Sequence, residues 1–176
     1  MIKIDLKEQS IREKLFLDIA NRLEQLVYKS GKEIFECIDL WNNQWTYLEQ
    51  EKPFSFPCVF IEFVQIPWKP IGGHAQQGDV TANLHIGSKV IAQSRQGSPT
   101  QTRALEHLRL LDAVHLLLTG WGAECGYGSF TRVASLHDHD HNELIAHVET
   151  YRFTVKDLSA IPTYITLEGD KMVIEK

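Results

Sequence analysis

Cysteine is scarce in this sequence of 176 residues, with only Cys37, Cys58 and Cys125. They lie far apart and form no C-x-x-C pair, and an odd number cannot close into a complete disulfide framework. A disulfide-stapled scaffold is thereby excluded, and reduced, buried thiols of a cytoplasmic protein are expected. Long apolar runs are also missing. Met1 to Lys7 mixes charge into every turn, unlike a signal peptide, and no stretch approaches the roughly 20 apolar residues of a membrane span. Positive charge is in deficit: 18 Lys and Arg stand against 23 Asp and Glu, a formal charge of -5. Without a basic cluster the chain is not a tight nucleic-acid binder, although a mildly acidic wall suits DNA that must slide past.

The signatures of common catalytic machinery are absent too. There is no G-x-S-x-G elbow, no phosphate loop with its lysine and no H-E-x-x-H helix. Gly126-Tyr127-Gly128-Ser129 lacks the third glycine of a dinucleotide fingerprint and leads into a strand pattern. No catalytic residue and no cofactor is expected, and the chain does not read as an enzyme.

What is present is the composition of a folded domain, 43% hydrophobic and 23% charged, at the length of a single unit. Ser10 and Glu13 form a capping-box pattern ahead of Ile11, Leu15, Phe16, Ile19, Leu23, Leu26 and Val27. That spacing predicts an amphipathic helix stopped by Ser30-Gly31. Ile34 to Trp41 reads as a strand ending at Asn42-Asn43, with a short helix as the alternative. Cys58 to Ile66 is apolar on both faces, as in a strand inside a sheet, and Pro67 and Pro70 end it. A loop through Gly72-Gly73 to Gly78 is expected next. The alternation of Val80, Ala82, Leu84 and Ile86 with Thr81, Asn83 and His85 then predicts a half-buried strand.

Ser98-Pro99-Thr100-Gln101 carries a second capping-box pattern, opening a helix with Ala104, Leu105, Leu108, Leu111 and Leu118 on its apolar face. Two strands follow, over Phe130–Leu136 and Leu144–Val155. In the second, the apolar register shifts from Leu144, Ala146 and Val148 to Tyr151, Phe153 and Val155, which suggests a β-bulge near Glu149-Thr150. The expected whole is an α+β domain: a mostly antiparallel sheet of about five strands with two long helices on one face. Its core spans roughly 10–156, and a C-terminal arm or hairpin occupies 157–176.

Two groups of side chains are candidate sites. In His137-Asp138-His139-Asp140-His141, an extended chain puts the three histidines on one side and the two aspartates on the other. Neutral imidazoles so placed suit zinc or nickel. A solvated hairpin tip explains the same residues, and a metal site normally also draws a ligand from elsewhere and needs hydrogen-bond support. His107 and His115, two helical turns apart and so about 12 Å along the axis, cannot share one metal and read as border residues of the leucine face. The second group is aromatic: Trp41, Trp45, Trp68 and Trp121 fall at strand ends and in loops. They suit either a protein–protein surface or satellite packing beneath the loops.

The order of elements resembles the tail-terminator, or tail-completion, proteins of long-tailed bacteriophages and prophages. The resemblance is carried by the helix from Ile11 to Val27, the proline-led strand Pro57 to Phe63, the strand Gly78 to Ile86, the helix around Arg103 to Leu108, and the two closing strands. It implies a structural subunit that self-assembles into a ring, usually a hexamer, capping the tail tube and joining it to the head connector. The implied partners are other copies of the chain, the tail-tube protein and the connector protein. DNA would pass non-specifically through the ring and no membrane would be involved. The protein would be cytoplasmic first and then incorporated into a virion or tail-like particle. Strand edges, loops 42–56 and 67–78, and the C-terminal tail are the expected contact elements.

Overall fold

The computed structural model describes residues 9–47, 54–89, 93–139, 144–161, 163–165 and 173–175. The first helix, α1 (Ile11–Leu23), starts as its sequence demands. The Ser10 side chain accepts from the Glu13 backbone N–H at 3.1 Å, and the Glu13 carboxylate accepts from the Ser10 N–H at 3.4 Å. It ends one turn earlier than the apolar spacing predicts. Val27 instead forms an isolated bridge to Glu33, closed by a turn in which Gly31 takes a φ of 83°.

Six strands form the main sheet: β1 (Cys37–Leu40), β2 (Cys58–Gln65), β3 (Trp68–Gly72), β4 (Ala75–Lys89), β5 (Thr131–Asp138) and β6 (Leu144–Asp157). Their order is β1-β2-β4-β6-β5, with β3 pairing with the start of β4. All pairings are antiparallel except β1 with β2. The expected α+β class and mostly antiparallel sheet are present. The strand expected beside the loop 67–78 is longer than its sequence pattern, because Trp68 to Gly72 turns back as β3 onto residues 75–78. Proline does not prevent this, since among the described residues β3 pairs with β4 alone, as an edge strand.

The second helix is a bent, 18-residue element made of α2 (Gln101–Ala104) and α3 (Glu106–Leu118), broken at Leu105. Its predicted capping box does not form. Ser98 accepts from the Thr100 N–H at 3.3 Å, a tight local turn that precedes the helix, and Thr100 makes no side-chain cap.

Both helices bury one face of the sheet. Leu15, Ile19 and Leu23 of α1 and Leu111, Val114 and Leu118 of α3 share a cluster with the inward residues of β2, β4 and β6. Arg22 ties the helices together by donating from Nε and Nη2 to the Leu117 carbonyl, at 3.3 and 3.2 Å. The opposite face carries a smaller cluster of Trp45, Cys58, Phe60, Leu144 and Ala146, roofed by the turn Gln44–Tyr47.

The register of β6 corrects the predicted bulge near Glu149-Thr150. From Leu144 to Asp157, β6 pairs without interruption against β4. The apolar shift arises because Leu144 and Ala146 face the smaller cluster whereas Tyr151, Phe153 and Val155 face the helices. The irregularity lies across from that point, in β5, between Arg132 and Ala134. Two different roofs over one strand produce the same sequence signature as a bulge.

The connector between α3 and β5 depends on Gly122, held at φ 128°. A Cβ added there would lie 2.5 Å from the Gly128 carbonyl oxygen and 3.2 Å from the Phe130 ring. Gly122→Ala is expected to cost about 2–4 kcal/mol, from backbone strain plus the clash, as read by urea unfolding. Two short strands, β7 (Thr163–Ile165) and β8 (Val173–Glu175), pair with each other at the C-terminal end. The Gly169-Asp170 turn expected between them lies outside the described residues.

Candidate functional site

The side of the sheet around β5 concentrates polar chemistry. α3 covers β4 and β6 but leaves β5 at the margin, where every residue except Arg132 and Asp138 is exposed. On the helix side of this margin, cross-strand pairing sets Ser135 opposite Glu149 and His137 opposite His147. Glu149 is only 1% exposed. Its carboxylate accepts from Arg132 Nη1 at 3.1 Å and from the Ser135 hydroxyl at 2.8 Å, which offsets much of the cost of burying a charge.

Beyond this ion pair runs a row of histidines. The rings of His137 and His139 are 3.9 Å apart, and His137 stacks on His147 at 4.3 Å. His147 Nδ1 lies 2.9 Å from Nε2 of His107, and His107 Nδ1 lies 2.9 Å from the Ser88 hydroxyl. Burial pulls the His107 pKa down to about 4, with His147 and His137 adding to the effect. Burial also lowers that of His147, followed by the influence of His137 and His139. The inner rings of the row are therefore neutral.

The predicted separation of histidines from aspartates holds for the described part of the motif. Asp138 pairs with Ala146 and so belongs to the opposite face of the sheet from His137 and His139. His141 and Asp140 lie outside the described residues. His107 is not the border residue that its spacing predicts. It is 5% exposed and bonded into the row, whereas His115 is half-buried and bonds to the Thr119 hydroxyl at 2.8 Å. Nothing in the linear sequence marks His147 as a partner of the motif. It stands within an ordinary strand pattern, and only the pairing of β5 with β6 brings it to His137. As the rings stand, with His137 stacked on His147 and tilted against His139, no group of three or more His, Cys, Asp or Glu among the described residues is arranged to hold a metal ion.

The four tryptophans divide. Trp45 and Trp121 are buried at 2% and 7% exposure, Trp45 in the smaller cluster and Trp121 in the helix-side core, so their rings offer no surface to a partner. Trp121 packs against Phe130 with centroids 5.0 Å apart. Trp68 is half-buried against the helix-side cluster. Trp41 is half-buried too, and lies flat on His85, with centroids 4.0 Å apart and planes at 5°. His85 Nε2 sits 2.9 Å from the Glu62 carboxylate, which also accepts from Asn83 at 3.0 Å. Burial lowers the His85 pKa, and Glu62 opposes that shift.

Large apolar side chains remain uncovered on the outer parts of the sheet, where Val64 is 51%, Val133 46% and Leu136 64% exposed. Leu136 pairs with Val148 on the face opposite the helices, beyond the reach of the Trp45 cluster. Among the described residues, no helix is long and apolar enough to cross a membrane. Searched by sequence, the chain matches no protein-family model and no curated protein.

Proposed function

We propose that this chain is a self-assembling structural subunit of the tail-terminator kind. It would close into a ring on the end of a phage or prophage tail tube and offer a joining surface to the head connector. Its work would be mechanical, with no catalytic step. One observation carries the proposal: among the described residues the outermost strand, β5, pairs on one side alone and exposes Val133 and Leu136. Unpaired strand edges with apolar neighbours accept another chain readily. The hairpin of β3 and β4, with Ile71 47% exposed, gives a second contact element within the expected 67–78 segment. The net charge of -5 suits a lumen through which DNA slides without being held.

The test is electron microscopy of the protein mixed with its candidate tail tubes, beside a Val133→Asp/Leu136→Asp variant. The wild type should cap tube ends with rings. The variant should keep its far-ultraviolet circular dichroism, since both residues are exposed, yet leave the tubes uncapped. Capping by the variant at the wild-type level, or none by the wild type, would remove the reading.

A further inference from the structure

The histidine row meets two conditions that the linear motif leaves open. A metal site built on His137 and His139 alone lacks a ligand from elsewhere in the chain and lacks groups to orient its ligands. The fold supplies both. His147 enters from the neighbouring strand, directly opposite His137. Behind it, His107 and Ser88 form a hydrogen-bonded chain that reaches its Nδ1.

We propose that His137, His139 and His147 form a binding site for a zinc-class divalent ion, with His107 and Ser88 positioning His147. Two histidines two residues apart on a strand are spaced about 6.6 Å along one face. A third on the adjacent strand, directly across, has its Cβ about 4.5–5.5 Å from its partner's. A triangle of that size lets three imidazoles converge on one ion at about 2.0–2.1 Å from each nitrogen. The fourth tetrahedral position stays open to water.

The hydrogen-bond chain fixes the tautomer this needs. With Ser88 Oγ accepting from His107 Nδ1–H, and His107 Nε2 accepting from His147 Nδ1–H, the lone pair of His147 falls on Nε2. That is the form in which a histidine ligand is usually held, with its other ring nitrogen donating to a neighbour. In the opposite polarity, Nε2 of His147 carries a proton, so metal binding selects the first.

His137 and His139 are exposed, so rotation about their side-chain bonds brings their nitrogens round to His147 without moving the strands. The bound ion would pin the edge strand β5 to β6, on the His147 side of the β5 irregularity. The site stands independently of ring assembly.

The experiment uses the full chain without a histidine tag, stripped with chelator and dialysed. Titration with zinc by calorimetry, and with cobalt by visible absorption, should give one ion per chain and the intense bands of tetrahedral cobalt. His139→Ala, at an exposed position that cannot unfold the domain, should abolish stoichiometric binding, and so should His147→Ala. His107→Ala should weaken it roughly 10–100-fold. His115→Ala should bind as the wild type does. A wild type that takes up no zinc at micromolar concentration overturns the proposal. So does a folded His147→Ala variant of undiminished affinity, above all if His141→Ala then loses the ion, because the turn rather than the paired strands would hold it.

Discussion

Arg132→Ala is expected to lower the unfolding free energy by about 3 kcal/mol. The magnitude follows from what remains behind. Glu149 is almost completely buried, and losing Arg132 leaves its carboxylate, among the described residues, with the Ser135 hydroxyl as donor at 2.8 Å. The same pocket holds the Tyr151 hydroxyl, which has no hydrogen-bond partner among the described residues and whose pKa is raised, first by burial and then by Glu149. An uncompensated buried charge costs about 3–5 kcal/mol, and the 29% exposure of the Arg132 side chain places the effect at the lower end. Urea unfolding of the two proteins measures it. The double variant Arg132→Leu/Glu149→Leu should recover most of the loss, because the pair offsets its own desolvation and adds little net stability. A single variant within 1 kcal/mol of wild type would show that water reaches Glu149.

Trp45→Ala is expected to cost about 3–5 kcal/mol and to expose a thiol. Trp45 is the largest fully buried side chain and roofs Cys58, Phe60, Leu144 and Ala146. Removing a buried aromatic forfeits its transfer energy and opens a cavity that the sheet beneath cannot collapse to fill. Cys58 is 0% exposed, and burial pushes its thiol up to about 12, so it is inert in the native protein. Cys37 and Cys125 are partly exposed. Burial raises the pKa of both, less completely than for Cys58, so a disulfide exchange reagent should reach those two thiols in the wild type and all three in the variant. The helix-side cluster does not include Trp45, so helical circular dichroism should persist. Protection of Cys58 in the variant would show that Phe54 and Phe56 close the roof by themselves.

Each of these effects depends on contacts made across the sheet, and that is where sequence reading ran short. The capping box at Ser10 and Glu13 was legible because a cap is local, spanning three residues along the chain. The second box, at Ser98, carried the same letters, but a tighter turn took its hydroxyl. The apparent bulge in β6 misled because hydrophobic patterning reports which face is covered and not where the register slips. His137 and His139 were visible as a pair because a strand shows its i, i+2 neighbours in the linear order. The contact between His107 and His147 was hidden, since they lie 40 residues apart and on different elements.

By itself the sequence determined the local matters: two amphipathic helices, the chain order of every main-sheet strand except β3, and His137 and His139 on the face opposite Asp138. These follow from backbone periodicity and short-range hydrogen bonds. Only the tertiary structure decided that β1 runs parallel to β2, that Trp45 and Trp121 belong to the core, and that Glu149 is buried against Arg132. It alone brought a third and a fourth histidine to the edge of the sheet. Such pairings depend on which strand lies beside which, and side-chain periodicity carries no record of the neighbour across the ladder.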